Sequence, residues 1–492
     1  MKVILSLDQG TTGSTAALIN TETLEFIGKA NFEFQQIFPK SGWVEHNLYD
    51  IWESMEKAID KALKDANISG NQIVGVGITN QRETTCSFRK NGEPLANAIV
   101  WQDRRTSDWC QSRKDKEEFI REKTGLPLDP YFSGSKMNWL LTNNENIKKA
   151  AGDNDLLFGT IDTYLIYKLS NQKSHTTDTT NASRTLLMNL KDLKWDEELL
   201  SFFEVKKEFL PTIKDSFANF GTVQGHSIIP DGTPIHGVLG DQQAALYGQA
   251  CFKKGEMKCT YGTGAFLVAN TGEEIVRSKA GLLSTVAFSD NGKATYALEG
   301  SSYIAGAAVQ WLRDNLNFFE TSPEVEAFAN KADKARCEDL FLLPFFSGIG
   351  SPYWLPNAKA ALIGMDRGTN RNEISLACLE GIALSISDIT NAIERDMNDK
   401  ITSLRVDGGA VQNNLLMQIQ SNFSKTKIMR PAVIETTAYG AALACIKGLG
   451  LLDENKITEK WSLDKQWEPE SDLKYYESKS IKYADYIKRN FI

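Results

Sequence analysis

The stretch VILSLDQGTTGSTAALI, residues 3–19, decides the fold class of this chain. An apolar run from Val3 to Leu7 is followed by a turn rich in glycine and threonine, and a second apolar run extends from Ala16 to Ile19. This pattern predicts a β-hairpin whose tip exposes backbone N–H groups and hydroxyls. Because glycine lets a backbone approach closely and these donors suit phosphate oxygens, the tip is a candidate phosphate loop.

A second stretch of the same design, MKCTYGTGAFLVA, occupies residues 257–269. Met257 to Thr260 leads into a glycine-rich turn, and Leu267 to Ala269 follows as the returning strand. Two similar units about 250 residues apart predict two related halves, each an α/β domain. We expect domains at residues 1–250 and 251–492, with a seam between residues 245 and 256 and the two loops facing each other across a cleft.

The sequence around these hairpins alternates between helical and strand patterns. Ile51 to Ala66 has apolar residues at helical spacing, and Ile73 to Thr79 reads as a buried strand. In the second half, Ile374 to Ile393 predicts a long buried helix, and Leu404 to Asp407 predicts a strand that precedes a helix from Asn413 to Phe423. The charged and aromatic stretch after Leu452 predicts a helical cap.

The amino-acid composition limits the classes of molecule that the chain can bind. The chain has 492 residues, 55 Lys and Arg against 63 Asp and Glu, and a formal net charge of -8 without a long basic block. This balance argues against a nucleic-acid partner, and the absence of about 18 consecutive apolar residues argues against membrane insertion. Seven cysteines without CxxC spacing favour reduced thiols. We therefore expect a cytoplasmic protein with a small soluble ligand.

A third glycine-containing element, VDGGAVQNN at residues 406–414, reads as a strand, a bend and the start of a helix. Such a bend offers a flat backbone surface to adenine, with Asn413 close to the base, although a lone DGG is also a common turn. The Walker and protein-kinase motifs are absent from the sequence. Asp8, at the end of its strand, is placed to hold Mg²⁺ through water, or else to cap a turn.

The three elements, in this order, resemble the nucleotide site of the superfamily that includes sugar kinases, actin and the large heat-shock chaperones. Longer strings narrow the resemblance: TNQRETT at residues 79–85, DPYFSG at residues 129–134 and GDQQAAL at residues 240–246 are similar to the glycerol kinases of the FGGY carbohydrate-kinase family. The resemblance runs from about residue 3 to about residue 450. It implies two ribonuclease-H-like, actin-like ATPase domains with an active-site cleft between them.

The resemblance also implies an activity, ATP- and Mg²⁺-dependent phosphorylation of glycerol to sn-glycerol 3-phosphate by a homo-oligomer. Asp241 follows Gly240 at the end of a predicted strand, where a carboxylate projects into the cleft as general base or caps the next helix. The implied glycerol residues are Arg82, Glu83, Trp101, Tyr131, Asp241, Gln242 and Phe266. The implied nucleotide residues are Thr11, Thr12, Gly13, Thr15, Thr263, Gly306, Gln310, Gly409 and Asn413.

Two positions depart from the family pattern, which commonly has Ser at position 13 and Arg at position 15. Here the residues are Gly13 and Thr15. A threonine hydroxyl is neutral and cannot replace a charge-assisted hydrogen bond to phosphate. Either another cation fills the space or the nucleotide is bound less tightly.

Two other functions compete with glycerol phosphorylation. The first is a related FGGY kinase that acts on a pentulose or related polyol, which the TNQRETT string disfavours. The second is an actin-like polymer or chaperone ATPase, for which Arg82, Glu83, Trp101, Tyr131 and Asp241 would have no purpose.

Overall fold

Both predicted hairpins form, and each lies inside its own mixed sheet in the computed structural model, which describes residues 1–491. The first sheet contains β1 (Val3–Gln9), β2 (Gly13–Asn20), β3 (Phe26–Glu33), β4 (Ile73–Asn80), β5 (Asn219–Thr222) and β6 (Pro234–Gly240). The second contains β7 (Met257–Tyr261), β8 (Ala265–Gly272), β9 (Leu283–Asp290), β10 (Lys293–Ser302), β11 (Ser403–Asp407), β12 (Lys427–Pro431) and β13 (Leu463–Trp467).

The two sheets have the same central arrangement, a hairpin with an antiparallel strand on one side and a parallel strand on the other, and differ in their edge strands. The first runs β3-β2-β1-β4-β6-β5, and the second runs β9-β10-β8-β7-β11-β12-β13. In each, the hairpin is antiparallel and its first strand is parallel to the strand on its other side, β4 or β11. The α/β class and the two related halves are thus confirmed.

Sixteen α-helices, four short 3₁₀ helices and five short strand pairs complete the described chain. The helices are α1 (Leu48–Ala66), α2 (Ser107–Gln111), α3 (Glu117–Thr124), α4 (Ser133–Asn143), α5 (Glu145–Gly152), α6 (Ile161–Leu169), α7 (Thr179–Ala182), α8 (Glu197–Phe203), α9 (Asp241–Gly248), α10 (Gly306–Asp314), α11 (Glu324–Ala329), α12 (Arg371–Met397), α13 (Asn414–Ser424), α14 (Thr436–Gly448), α15 (Glu454–Lys460) and α16 (Lys474–Asn490). The short pairs join Glu45–His46 to Ala98–Ile99, Cys86–Arg89 to Leu156–Gly159, Thr176–Asp178 to Thr212–Lys214, Met188–Asn189 to Lys194–Trp195, and Phe341–Leu343 to Ala361–Ile363.

Both long predicted helices form, and each begins earlier than predicted, directly after a capping residue. Helix α1 begins at Leu48 because the Asn47 side chain accepts a hydrogen bond from the N–H of Tyr49. Helix α12 begins after Asn370, which forms a capping box with Glu373. Helix α12 is apolar and long enough to cross a membrane, but 89% of its apolar window is buried, as in the core helix of a domain.

Helices α9 and α14 cross between the two sheets, and glycine makes the crossing possible. A Cβ at Gly440 would lie 1.8 Å from the carbonyl oxygen of Ala244, and one at Gly248 would lie 2.2 Å from that of Thr436. Helix α14 also packs on β1, β4 and β6, although in sequence it lies between β12 and β13 of the second sheet. The seam predicted between residues 245 and 256 stays a prediction, since this helix pair joins both halves.

The C-terminal cap contains a strand that the sequence reading missed. Between α15 and α16, β13 pairs antiparallel with β12 at the edge of the second sheet. Four of its five residues are exposed and only Trp467 is buried. The strand therefore lacks the apolar alternation by which strands are recognised.

The helix crossing predicts that Gly440→Ala lowers the free energy of unfolding by about 1–3 kcal/mol or more, because the added methyl meets backbone rather than a movable side chain. Urea unfolding followed by circular dichroism measures the change. Gly152→Ala is the control, because a Cβ there meets nothing within 4 Å. Equal stability of the two variants would contradict the close crossing.

Candidate active site

Four buried charged side chains form the base of the cleft. Arg82 donates to both carboxylate oxygens of Glu299, with distances of 2.5 Å from Nη1 to Oε2 and 2.9 Å from Nη2 to Oε1. Arg184 donates from Nε to Glu83 Oε1 at 2.6 Å and from Nη2 to Glu299 Oε1 at 3.2 Å. No more than 2% of any of these side chains is exposed. The cluster therefore works in a low-dielectric setting, where charge pairs hold their geometry.

The cluster orients the candidate base, Asp241, the first residue of α9. The Nε of Arg82 lies 3.1 Å from Asp241 Oδ1, and the Asp241 side chain is 30% exposed while that of Arg82 is 2% exposed. Burial would raise the pKa of Glu299, but Arg184 and Arg82 outweigh it and lower that pKa to about 2. Glu299 thus stays ionised and fixes the guanidinium that points at Asp241.

Glu83 is held in an unusual backbone conformation. Its φ is 60°, in the left-handed region that non-glycine residues rarely occupy. The Oγ of Ser133 and the Nζ of Lys136 both donate to its carbonyl oxygen, at 3.0 and 3.2 Å, and Lys136 also donates to the carbonyl of Tyr131 at 2.7 Å. Contacts on its backbone and its carboxylate therefore fix Glu83 in place.

Aromatic side chains enclose a small cavity beside this cluster. Trp101, Tyr131 and Phe266, all expected from the sequence, line a cavity of about 20 Å³ together with Tyr303 and Trp354, which the sequence reading missed. The Trp101 and Tyr131 rings meet edge to face with centroids 5.6 Å apart. The indole N–H of Trp101 donates to Thr11 Oγ1 at 3.0 Å, which connects the cavity wall to the first loop.

The first loop is shorter than the sequence reading assumed, because Gly13 and Thr15 belong to β2 and the turn contains residues 10–12 only. A Cβ at Gly13 would lie 3.0 Å from the carbonyl oxygen of Phe32, so a larger residue there would require β3 to shift slightly. The Thr15 hydroxyl accepts a hydrogen bond from Asn31 Nδ2 at 2.8 Å.

A cation does lie near the first loop, on the strand next to Thr15. Lys29, in β3, pairs with Glu435 at 2.5 Å and lowers the pKa of Asp8. Burial, with the charges of Asp241 and Glu435, raises the pKa of Asp8 to about 7 against that effect. Which of the two alternatives holds for Thr15 stays a prediction, because the charge of Lys29 is already paired with Glu435.

The expected nucleotide residues of the second half surround one cavity. Its volume is about 390 Å³, and its lining includes Thr263, Gly306, Gln310, Gly409 and Asn413. Apolar walls come from Val309, Val325, Leu379, Ile382 and Leu416.

Glycine shapes this nucleotide cavity at two places. A Cβ at Gly306 would lie 2.7 Å from the carbonyl oxygen of Gly262, so glycine lets α10 approach the second loop. Gly409 faces open space, and the Asn413 side chain accepts from the N–H of Leu416 as the cap of α13. The amide nitrogen of Asn413 is then the end that can reach a base.

Gln242 and Lys258 meet next to Asp241. The sequence reading placed Gln242 beside the substrate, and its Oε1 accepts a hydrogen bond from Lys258 Nζ. Gln243, Lys258 and Arg184 lie within the strings GDQQAAL at residues 240–246, MKCTYGTGAFLVA at residues 257–269 and NASRT at residues 181–185, but the sequence assigned them no role. Glu299 lies in none of these strings.

Comparison with known proteins identifies the family of the chain. The model of the N-terminal domain of the FGGY family of carbohydrate kinases matches residues 3–248, and that of the C-terminal domain matches residues 257–449. The chain belongs to the FGGY family of carbohydrate kinases. The expected two-domain, actin-like fold is thereby confirmed, and this FGGY kinase is an enzyme that transfers phosphate.

Individual relatives of this FGGY kinase cover nearly its whole length. It is 46% identical to a glycerol kinase of Staphylococcus epidermidis, over 96% of this chain and 95% of the relative. It is 47% identical to a glycerol kinase of Fusobacterium nucleatum, over 99% and 98%. The crystal structure of Plasmodium falciparum glycerol kinase with ADP superposes with a TM-score of 0.92 at 35% identity, over 100% of this chain and 99% of that one.

The ion cluster predicts that Glu299→Gln lowers the free energy of unfolding by about 3–5 kcal/mol, because two buried arginines lose their shared anion. The pKa of Glu299 lies below its unfolded value, so its contribution is present above pH 4.5 and is lost as the pH falls toward about 2. Denaturant unfolding across this range measures both effects. Glu274→Gln, an exposed carboxylate paired with Lys254, is the control and should change stability by less than about 1 kcal/mol.

Proposed function

We propose that this FGGY kinase transfers the γ-phosphoryl group of ATP to glycerol and forms sn-glycerol 3-phosphate. The observation that carries the proposal is the position of Asp241. Its carboxylate is held by Arg82 at 3.1 Å, is partly exposed to the cleft, and lies at the start of α9 between the two halves. A base in that position meets a hydroxyl from one side and a polyphosphate from the other.

The cavity next to the cluster favours a three-carbon polyol. It is enclosed mainly by aromatic side chains, which offer an apolar wall to the short carbon edge of glycerol. A pentulose, the alternative substrate, carries two more carbons with their oxygens and would need a longer pocket with additional polar groups. The glycerol kinases of Staphylococcus epidermidis and Fusobacterium nucleatum, to which the chain is 46% and 47% identical, support the smaller substrate.

The nucleotide is proposed to lie in the larger cavity of the second half. Its volume of about 390 Å³ and its combination of apolar walls and a glycine surface suit an adenosine, with the phosphates directed toward both loops. The crystal structure of the similar Plasmodium falciparum enzyme is with ADP, which supports an adenine nucleotide as the ligand. Thr11, Thr12 and Thr263 are then the hydroxyl donors to the phosphates.

Mg²⁺ fits the donor set at the end of β1. Within residues 1–491 no group of three or more His, Cys, Asp or Glu side chains is arranged to hold a metal. Asp8 and Asp241 are close enough for their charges to interact, and carboxylates with nucleotide phosphates and waters are the usual surroundings of this ion. Bound there, Mg²⁺ would neutralise charge on the phosphates.

The proposed mechanism is direct, in-line transfer. Asp241 accepts the proton of the glycerol hydroxyl, the new bond forms from that oxygen to the γ-phosphorus, and the bond from phosphorus to the ADP oxygen breaks. Arg82 keeps the Asp241 carboxylate pointed at the hydroxyl, while its own charge is balanced by Glu299. Closure of the two halves would exclude water from the γ-phosphate.

Asp241→Asn is expected to lower kcat by about 10² to 10⁴ while nucleotide affinity and the fold are kept, because the amide preserves shape but accepts no proton. Steady-state kinetics with calorimetric titration of ADP separates the two effects. Asp115→Asn, at an exposed site, is the matched control and should behave as the parent. Turnover within a few-fold of the parent in Asp241→Asn would rule out this residue as the base.

The substrate is tested by a coupled assay of ADP release with glycerol and with a panel of pentuloses. The proposal expects the highest kcat/KM with glycerol. A higher kcat/KM with any pentulose would replace glycerol by the alternative substrate and leave the family assignment unchanged.

A further inference from the structure

Lys258 is a buried cation that the proposed mechanism does not use. It lies in β7, three residues before Tyr261 and the second phosphate loop, and is completely buried. Met257 and Cys259, on either side of it, face the apolar core of the second half. Because side chains alternate along a strand, Lys258 points the other way, toward α9 and the cleft.

The surroundings of Lys258 do not explain it as a structural ion pair. Its Nζ donates to Gln242 Oε1 and, at 2.8 Å, to Thr260 Oγ1. Among residues 1–491, no carboxylate lies within 4.0 Å of this ammonium. Burial lowers its pKa, although Asp407, Asp241 and Glu299 act in the opposite direction. A buried ammonium with only neutral partners is unfavourable, so the contact with Gln242 needs an explanation.

The chemistry of the two side chains fixes how Gln242 is oriented. A lysine ammonium has three donors and no acceptor, so it can bind only the oxygen end of the amide. The Nε2 end of Gln242 must then face away from Lys258 as a donor. The backbone N–H of the same residue donates to Asp241 Oδ1 at 2.7 Å, so Gln242 and the candidate base are linked at the start of α9.

We propose that Lys258 is a positioning residue that turns the Gln242 amide so that its N–H₂ group donates to a glycerol hydroxyl. This rests on the proposed function. The base removes a proton from one hydroxyl, and a donor at a neighbouring position holds an oxygen that stays protonated. With the amide reversed, an oxygen would face the Asp241 carboxylate and the substrate lone pairs, and the donor would be lost.

The same contact couples the two halves of the enzyme. Gln242 belongs to α9, which follows the first sheet, whereas Thr260 belongs to β7 and precedes the second phosphate loop. A single ammonium thereby connects the glycerol side of the cleft to the phosphate side. Lys258 can therefore fix the position of the Gln242 amide donor relative to the second phosphate loop.

Lys258→Met is the direct test, since it keeps an unbranched side chain of similar length and removes the ammonium. The KM for glycerol should rise about tenfold, the equivalent of one lost hydrogen bond, while the KM for ATP stays within about threefold of the parent. Parent activity with glycerol is measured first. If the parent does not phosphorylate glycerol, the proposed function fails; if it does and the KM for glycerol in Lys258→Met stays within about twofold, this inference alone fails.

A double variant separates positioning from general loosening of the site. If Lys258 acts through Gln242, Lys258→Met combined with Gln242→Leu should raise the KM for glycerol no further than Gln242→Leu alone. Additive increases, or a parallel rise in both KM values, would overturn the proposal. Lys479→Met is the matched control, because this lysine is also completely buried but pairs with Glu380 in the second half. It should lower the melting temperature without changing the KM for glycerol.

Gln242→Glu is a second test, which remains possible if the Lys258→Met variant does not fold. The carboxylate still accepts from Lys258 and gains an ion pair, so the fold should be kept. An oxygen then replaces the N–H₂ donor, and the KM for glycerol should rise about tenfold. An unchanged KM in this folded variant would show that the orientation of the amide does not matter and would overturn the proposal.

Discussion

The bidentate pair between Arg82 and Glu299 is the constraint on which the site depends. Arg82 follows the first sheet's β4, and Glu299 lies in the second sheet's β10, so the pair joins the two halves at the base of the cleft. An unpaired charge at either position would be strongly unfavourable at this depth. The two sheets must therefore hold fixed positions relative to each other before the Nε–H of Arg82 can point at Asp241.

Close packing of α9 against α14 fixes the positions of the two sheets relative to each other. Asp241 and Gln242 are the first residues of α9, and Gly248 is its last, so the helix that carries the proposed base also makes the glycine crossing. The crossing leaves little freedom for α9 to rotate, because backbone meets backbone there. Chemistry at one end of this helix thus depends on packing at the other.

Much of the fold could be predicted because its decisive features are local. The hairpin of residues 3–19 and its counterpart at 257–269 combine apolar runs with turn residues, and periodicity marks α1 and α12. The predictions failed where the local sequence pattern did not match the surroundings that the residues have in the folded chain. Strand β13 is exposed along most of its length, and Gly13 and Thr15 belong to a strand because β3 pairs beside them, which composition does not reveal.

For the site, the sequence by itself determined which motif residues carry the resemblance, from Arg82 and Glu83 to Asp241 and Asn413. Only the tertiary structure decided what holds them. Glu299 lies 217 residues from Arg82, and Arg184 lies 101 residues from Glu83, so no spacing could indicate that they pair. Lys258 reads as an ordinary charge in a strand until α9 buries it. Pairing of buried charges depends on which surfaces meet in space, and that is set by the packing of the two sheets through α9 and α14.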